Sequence, residues 1–346
     1  MRQPRTKIAA LLFALSLSLH PDAAVRVDVL RPVGGLPPHI VGLFEDPLGF
    51  QQAPGGLYYV FDRRAHSVYA IDAAKTGARK LVEIGQEMGR IIQPRGFDVA
   101  PSGAFVIADA PRGQERIQIF NAEGLRQSGF FIPGRATAAV GAGVGIGAFV
   151  LSGVSSLQLT DDRLLISHLE SGGLFTEYSL GGQGLRSIGR LRETGYEQER
   201  DLHIAMNAGL PLVDPTGGFY YVFLAGKPAF RKYDTKGTLV FERHVEGREL
   251  EDYVANMPTR WPTRRFADRE VPHVAPTIRA AAVNAQGELW ISLTVPYTYV
   301  YDAHGDKTRT VQFNAAGVIS PASLSFTRAG RLLVTPGAYE FDPSAR

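Results

Sequence analysis

The chain has 346 residues, 45% hydrophobic and 21% charged, so it can bury a large core, in a single domain if it is all-β. It contains no cysteine, which excludes disulfides and thiolate metal sites. Its formal charge of +3 is interspersed with acidic residues, which argues against nucleic acid as a partner.

At the N-terminus, Arg2, Arg5 and Lys7 precede an apolar run over residues 8–19. That run is too short for a membrane-spanning helix and matches the core of a secretory signal. Cleavage after Ala23 or Ala24 is expected, so residues 1–24 are a signal peptide and 25–346 the mature domain. Retention as an uncleaved anchor is the alternative. Removing residues 1–24 brings the charge close to neutral. The mature chain is expected to be a monomer outside the cytoplasm, secreted or periplasmic. No later stretch is long and apolar enough to span a membrane.

The mature chain opens with VRVDVL at 25–30, a strand pattern. Residues 56–62 (GLYYVFD) and 67–72 (SVYAID) form the next pair. The most regular stretch follows at 94–124, with strand-like runs at 96–100, 104–109 and 116–121. Pro101-Ser102-Gly103 supplies the preset and positive φ values of a tight turn. Arg116-Ile117-Gln118-Ile119-Phe120 alternates with period two, which predicts a strand with one buried face. The same grammar recurs at 162–167 with 174–178, 217–222 with 229–234, 287–292 with 297–302, and 330–335 with 338–342.

These are six copies, with turn residues at 56, 103, 162, 217, 287 and 330. A period near 40 to 50 residues with four strands per unit predicts propeller blades. The longer spacings require insertions, placed at 132–153, 181–204 and 246–278. The sixth copy ends at Asp342 with too few residues left for an outer strand, so residues 25–30 are expected to complete it and close the ring. The predicted fold is all-β: a six-bladed β-propeller of four-stranded antiparallel blades, closed by the N-terminal strand.

Residues 94–124 resemble an NHL repeat: P-x-G-Φ-x-Φ-x-P-x-G-x-Φ-Φ-Φ-x-D, a short loop, then R-I-Q-Φ-F-x-x-x-G. The copy from Gly56 matches less fully, and the other four keep the strand and turn grammar but lose most signature residues. The resemblance implies a six-bladed propeller of the NHL or TolB-like kind. That superfamily holds binding scaffolds as well as metal-dependent lyases and lactonases, and fold alone does not choose among them. The lyases place a histidine directly after Pro, eight residues before the hairpin Gly. Here those places hold Arg95 and Arg279, a departure that argues against the lyase site. The calcium-dependent lactonases use a Glu before blade one and Asn or Asp in later blades. Glu45 and Asn207 are loosely similar, but blades two and three carry Arg95 and Ser155-Ser156 where oxygen ligands would be needed.

Candidate site residues cluster just ahead of the inner strands. His39, His203 and His273 precede blades one, four and five at similar distances, and three imidazoles at a channel mouth would suit a divalent metal such as zinc. The alternative is that they are loop histidines bonding between blades. Arg95 and Arg279 would suit a carboxylate or phosphate, or pair with Glu45 or Asp98. In the 246–278 insertion, residues 248–257 are expected to form a short helix. Trp261 and its neighbouring arginines suit partner contacts, unless Trp261 and Phe266 cap a blade face. The glycine-rich run at 141–147 lacks the βαβ context of a dinucleotide loop. Asp62, Asp72, Asp109, Asp234, Asp302 and Asp342 are expected to be turn-makers. The leading expectation is a binding module without a cofactor, for a protein or a small anionic ligand, using the channel face and the 246–278 insertion. The alternative is a metal-dependent lyase or lactone/ester hydrolase built on the histidines.

Overall fold

A computed structural model describes residues 26–132, 156–266 and 269–345. The expected signal segment, nearly all of the 132–153 insertion and the glycine run at 141–147 lie outside the described residues. Each blade is a four-stranded antiparallel meander, inner strand first. Blade I comprises Pro47–Gln52, Tyr58–Asp62, Ser67–Ile71 and Ala78–Val82. Blade II comprises Gly96–Val99, Phe105–Asp109, Arg116–Phe120 and Arg126–Phe131. Blade III comprises Leu157–Leu159, Arg163–Ile166, Gly173–Ser179 and Gly184–Arg190. Blade IV comprises Gly209–Val213, Phe219–Phe223, Ala229–Tyr233 and Leu239–His244. Blade V comprises Ile278–Val283, Leu289–Leu293, Thr298–Tyr301 and Lys307–Phe313. Blade VI takes Ser323–Phe326, Leu332–Thr335 and Tyr339–Phe341 from the C-terminus. The inner strands touch in sequence, and that of blade VI touches that of blade I, so the six blades form a closed ring.

Closure does come from the N-terminus, but not in the expected register. Val27–Leu30 adds a fifth strand to blade V, parallel to Lys307–Phe313, with Val27 opposite Thr310 and Leu30 opposite Phe313. Asp28 and Arg309 fix it through an ion pair of 2.7 Å. Blade VI is completed instead by Pro32–Gly35, antiparallel to Tyr339–Phe341. PVGG carries no strand pattern, yet an outermost strand tolerates proline because its N–H side needs no partner. Gly35 is required there: at φ 148° it lies so close to blade VI that a Cβ would meet the Ala338 carbonyl at 2.6 Å.

The core lies between blades. Six apolar clusters each draw on two neighbouring blades. Aromatic pairs bridge several of these seams: Phe61 stacks on Phe97 at 5.3 Å, Phe175 on Tyr221 at 6.0 Å, and Phe313 meets Phe341 edge-on at 4.8 Å. Burying each such ring is worth about 1.5–3 kcal/mol. Because both faces of a blade pack against neighbours, Arg116–Phe120 is buried at all five positions rather than on one face.

The signature residues of blade II explain how polar side chains survive there. Arg116 makes a bidentate pair with Asp109 (2.8 and 2.6 Å) and donates to the carbonyls of Gln86 and Arg90. Gln118 donates to the Arg90 carbonyl and accepts from the Gly89 N–H. The blade I–II connector is thereby sewn to blade II. Asp109 is thus an ion-pair residue rather than a turn-maker. Asp72, Asp234 and Asp302 do bond local amides, and Asp62 reaches further, to the N–H groups of Glu45 and Asp46.

The insertions also resolve. Gly184–Arg190, within 181–204, is the outer strand of blade III, and only residues 191–208 stand outside the repeat, with a helix at Arg200–Asn207. The helix expected in the last insertion spans Arg248–Ala255. It is followed by a hairpin, Thr263–Phe266 with Arg269–Pro272, that the sequence pattern did not announce. The hairpin contacts the Arg200–Asn207 helix, so the two insertions pack together beside blades IV and V.

Candidate functional site

Around the channel, one position on each inner strand repeats in register: Gln51, Asp98, Gln158, Leu212, Ala282 and Ser325. The first three reach across to the next blade. The Val99 N–H donates to Gln51 Oε1 at 2.9 Å, and the Leu159 N–H donates to Asp98 Oδ2 at 2.7 Å. The Val213 N–H donates to Gln158 Oε1, and Gln51 Nε2 donates to Asp98 Oδ1 at 2.9 Å. These bonds join the inner strands of blades I to IV. Burial pushes the Asp98 carboxyl up to about 6, with its hydrogen bonds opposing. Leu212 and Ala282 cannot make such bonds, and blades IV and V are joined elsewhere, by the Thr277 N–H to the Leu224 carbonyl and the Tyr220 hydroxyl to the Gly287 carbonyl.

Arg95 and Arg279 occupy equivalent registers in blades II and V, on opposite sides of the ring. Arg279 is exposed at a bulge between Ile278 and Ala280. Arg95 is half-buried and pairs with neither Glu45 nor Asp98. Burial pushes its guanidinium pKa down, against the opposing charge of Glu115. Glu45 is exposed and lies 3.5 Å from Arg64. Asn207 is buried with its side chain fully engaged: Oδ1 accepts from the Arg192 N–H, and Nδ2 donates to the carbonyls of Arg192 and His203.

The three histidines sit in separate settings. His39 is exposed on the short Pro38–Val41 turn. His203 Nδ1 lies 2.7 Å from Thr194 Oγ1. His273 is exposed, and its backbone N–H donates to the Pro262 carbonyl. Among the described residues no three His, Asp or Glu side chains are grouped to hold a metal.

A large concavity lies between blade IV and the packed insertions. A cleft of about 830 Å³ is lined by Arg192, Lys227, Arg231, Tyr196, Met257 and Trp261, among others. Here the signature pair is gone. Register puts Phe223 where blade II has Asp109, and Ala229 where it has Arg116. Two arginines cover the Phe223 ring, Arg192 at 4.2 Å and Arg231 at 5.3 Å from its centre. Arg192 donates to the carbonyls of Met206, Ala225 and Lys227, and burial pushes its pKa down to about 10. Arg231 occupies the register of Gln118 and bonds the Arg190 carbonyl at the end of blade III's outer strand, while pairing with Glu242 at 2.6 Å. Lys227 is exposed at the cleft. Trp261 is half-buried, packs on the core cluster around Leu202 and Val274, and has a buried indole N–H without a hydrogen-bond partner. It both caps the blade face and lines the cleft.

Trp261 was legible in the sequence. Arg192, Lys227 and Arg231 were not, although departure from R-I-Q at 229–231 marks the altered corner.

No protein-family model matches the chain, and no curated protein matches it either. Solved structures do. A catalytically inactive virginiamycin B lyase from Staphylococcus aureus with quinupristin aligns at TM-score 0.50 and 9% identity, over 84% of this chain and 77% of that one. The likeness is one of fold. A Bacteroides caccae protein of unknown function aligns at 0.45 and 12% identity, over 79% of this chain and 84% of that one. The WD40 propeller domain of Doa1 aligns at 0.47 and 9% identity, over 84% and 76%. The chain is a six-bladed propeller, and its site has to be read from its own residues.

Proposed function

We propose that the protein is an extracytoplasmic, NHL-like propeller acting as a binding module, with its ligand seated in the cleft between blade IV and the 246–278 insertion. The observation that carries this is the cleft itself: about 830 Å³, walled by Trp261 and Tyr196, and presenting Arg192, Lys227 and Arg231. Concave, largely apolar sites with a few convergent polar groups are the usual form of ligand pockets. Arg192 and Arg231 are held by carbonyls and by Glu242, Glu193 shares the wall with them, and Lys227 is the cation free to move onto a ligand. The class that fits is a small molecule or protein segment carrying a carboxylate or phosphate beside an apolar body.

Isothermal titration of the mature chain with short acidic peptides and with aromatic carboxylates tests this. Saturable binding is expected, weakened about tenfold by Lys227→Glu and falling with added salt. No saturable binding, or binding indifferent to Lys227→Glu, overturns the reading. N-terminal sequencing of the exported protein is expected to start at Ala24 or Val25.

A further inference from the structure

Trp261 lines a second cavity of about 550 Å³, bounded also by Glu249, Asp252, Tyr253, Met257 and His273. Among the described residues no lysine or arginine contributes to its lining. The two compartments share Met257, Pro258 and Trp261 as a partition. One side of that partition presents three cations together with Glu193 and Glu242, and the other presents Glu249 and Asp252.

We propose that this second cavity is a site for an organic cation with an apolar body, such as an aromatic or alkyl ammonium. Three features of the lining support the assignment. The wall is apolar and aromatic, from Tyr253 and Trp261 to Val295, and aromatic faces attract ammonium groups. The cavity is braced: Glu249 accepts a hydrogen bond from the Tyr299 hydroxyl at 2.5 Å, which anchors the Arg248–Ala255 helix to blade V. Tyr253 adds a contact of 3.4 Å to the Pro276 carbonyl from the same helix. Asp252 is exposed on this helix, and among the described residues no ion pair occupies its carboxylate, so it is available to a cationic head group. An anionic ligand would face Glu249 and Asp252 with no compensating cation in the wall. This site does not depend on the anion reading of the neighbouring cleft.

The test is titration of the mature protein with benzyltrimethylammonium, followed by calorimetry, with benzenesulfonate as the anionic control. Saturable binding of the cation is expected, and none of the sulfonate to this site. Asp252→Asn is expected to weaken the cation about threefold to tenfold, and Trp261→Leu by about tenfold or more. Asp252 is exposed, so its variant will fold even if the Trp261 variant does not. Lys227→Glu, which disables the neighbouring cleft, is expected to leave cation affinity unchanged. The assignment is overturned if the cation does not saturate, if Asp252→Asn leaves its affinity intact, or if benzenesulfonate displaces it.

Discussion

The same corner of the repeat is built in two ways in blades II and IV. In blade II, Asp109 and Arg116 neutralise each other inside the blade, and Arg116 and Gln118 spend their remaining donors on the connector. In blade IV, Phe223 and Ala229 stand at those registers, and the connector is held instead by Arg192 and Arg231 lying over the phenyl ring. The first corner is closed and electrically neutral. The second has a large cleft beside it with positive groups in its wall. Loss of the signature pair therefore did not loosen blade IV. It exchanged an internal carboxylate for an aromatic platform and left guanidinium charge next to open space.

The comparison can be broken most severely at Arg116. Arg116→Met strands the Asp109 carboxylate in the core and is expected to cost about 3–5 kcal/mol in urea unfolding. Adding Asp109→Leu removes both charges and should restore most of that loss. If the single variant costs under about 1 kcal/mol, the charge pair is not what seals blade II. A smaller effect is expected at the channel. The folded Asp98 carboxyl titrates near 6, above its ordinary value of 3.8, so the folded state holds that proton more tightly. The associated stability is fully present below about pH 4 and is lost as pH rises through 6, by roughly 3 kcal/mol. Asp98→Asn should flatten that slope in unfolding curves recorded from pH 4 to 7, and an unchanged slope would refute the assignment. The smallest effect sharpens the comparison. Arg231→Gln installs the residue that blade II carries at this register. Its amide can keep the bond to the Arg190 carbonyl, so stability should change by less than about 1 kcal/mol. Affinity for acidic ligands should nevertheless fall about threefold to tenfold, because one cation leaves the cleft wall.

The architecture was legible because turn chemistry and strand alternation repeat at every blade, and each copy confirmed the others. Blade II was found almost residue for residue. The closing strand was misplaced because PVGG satisfies an edge position through its lack of side-chain bulk, which leaves no hydrophobic pattern to read. The corner of blade IV was hidden for a different reason. Arg192 lies in an insertion, Arg231 in a strand, and Lys227 in the hairpin between them, so only folding shows them lining one cleft. Similar spacing of His39, His203 and His273 did not bring them together, since a repeat returns residues to comparable positions along the chain whatever their side chains do.

Both N-terminal strands lie at one seam. Val27 pairs with Thr310 on blade V, and Pro32 with Phe341 on blade VI. Since synthesis runs from the N-terminus, the first strands to emerge must wait for the last ones. Blades I to IV can assemble in order as they appear, but the ring stays unlocked until the final blade arrives. A chain that stops short of residue 341 would be left with an open edge at which to be recognised and degraded.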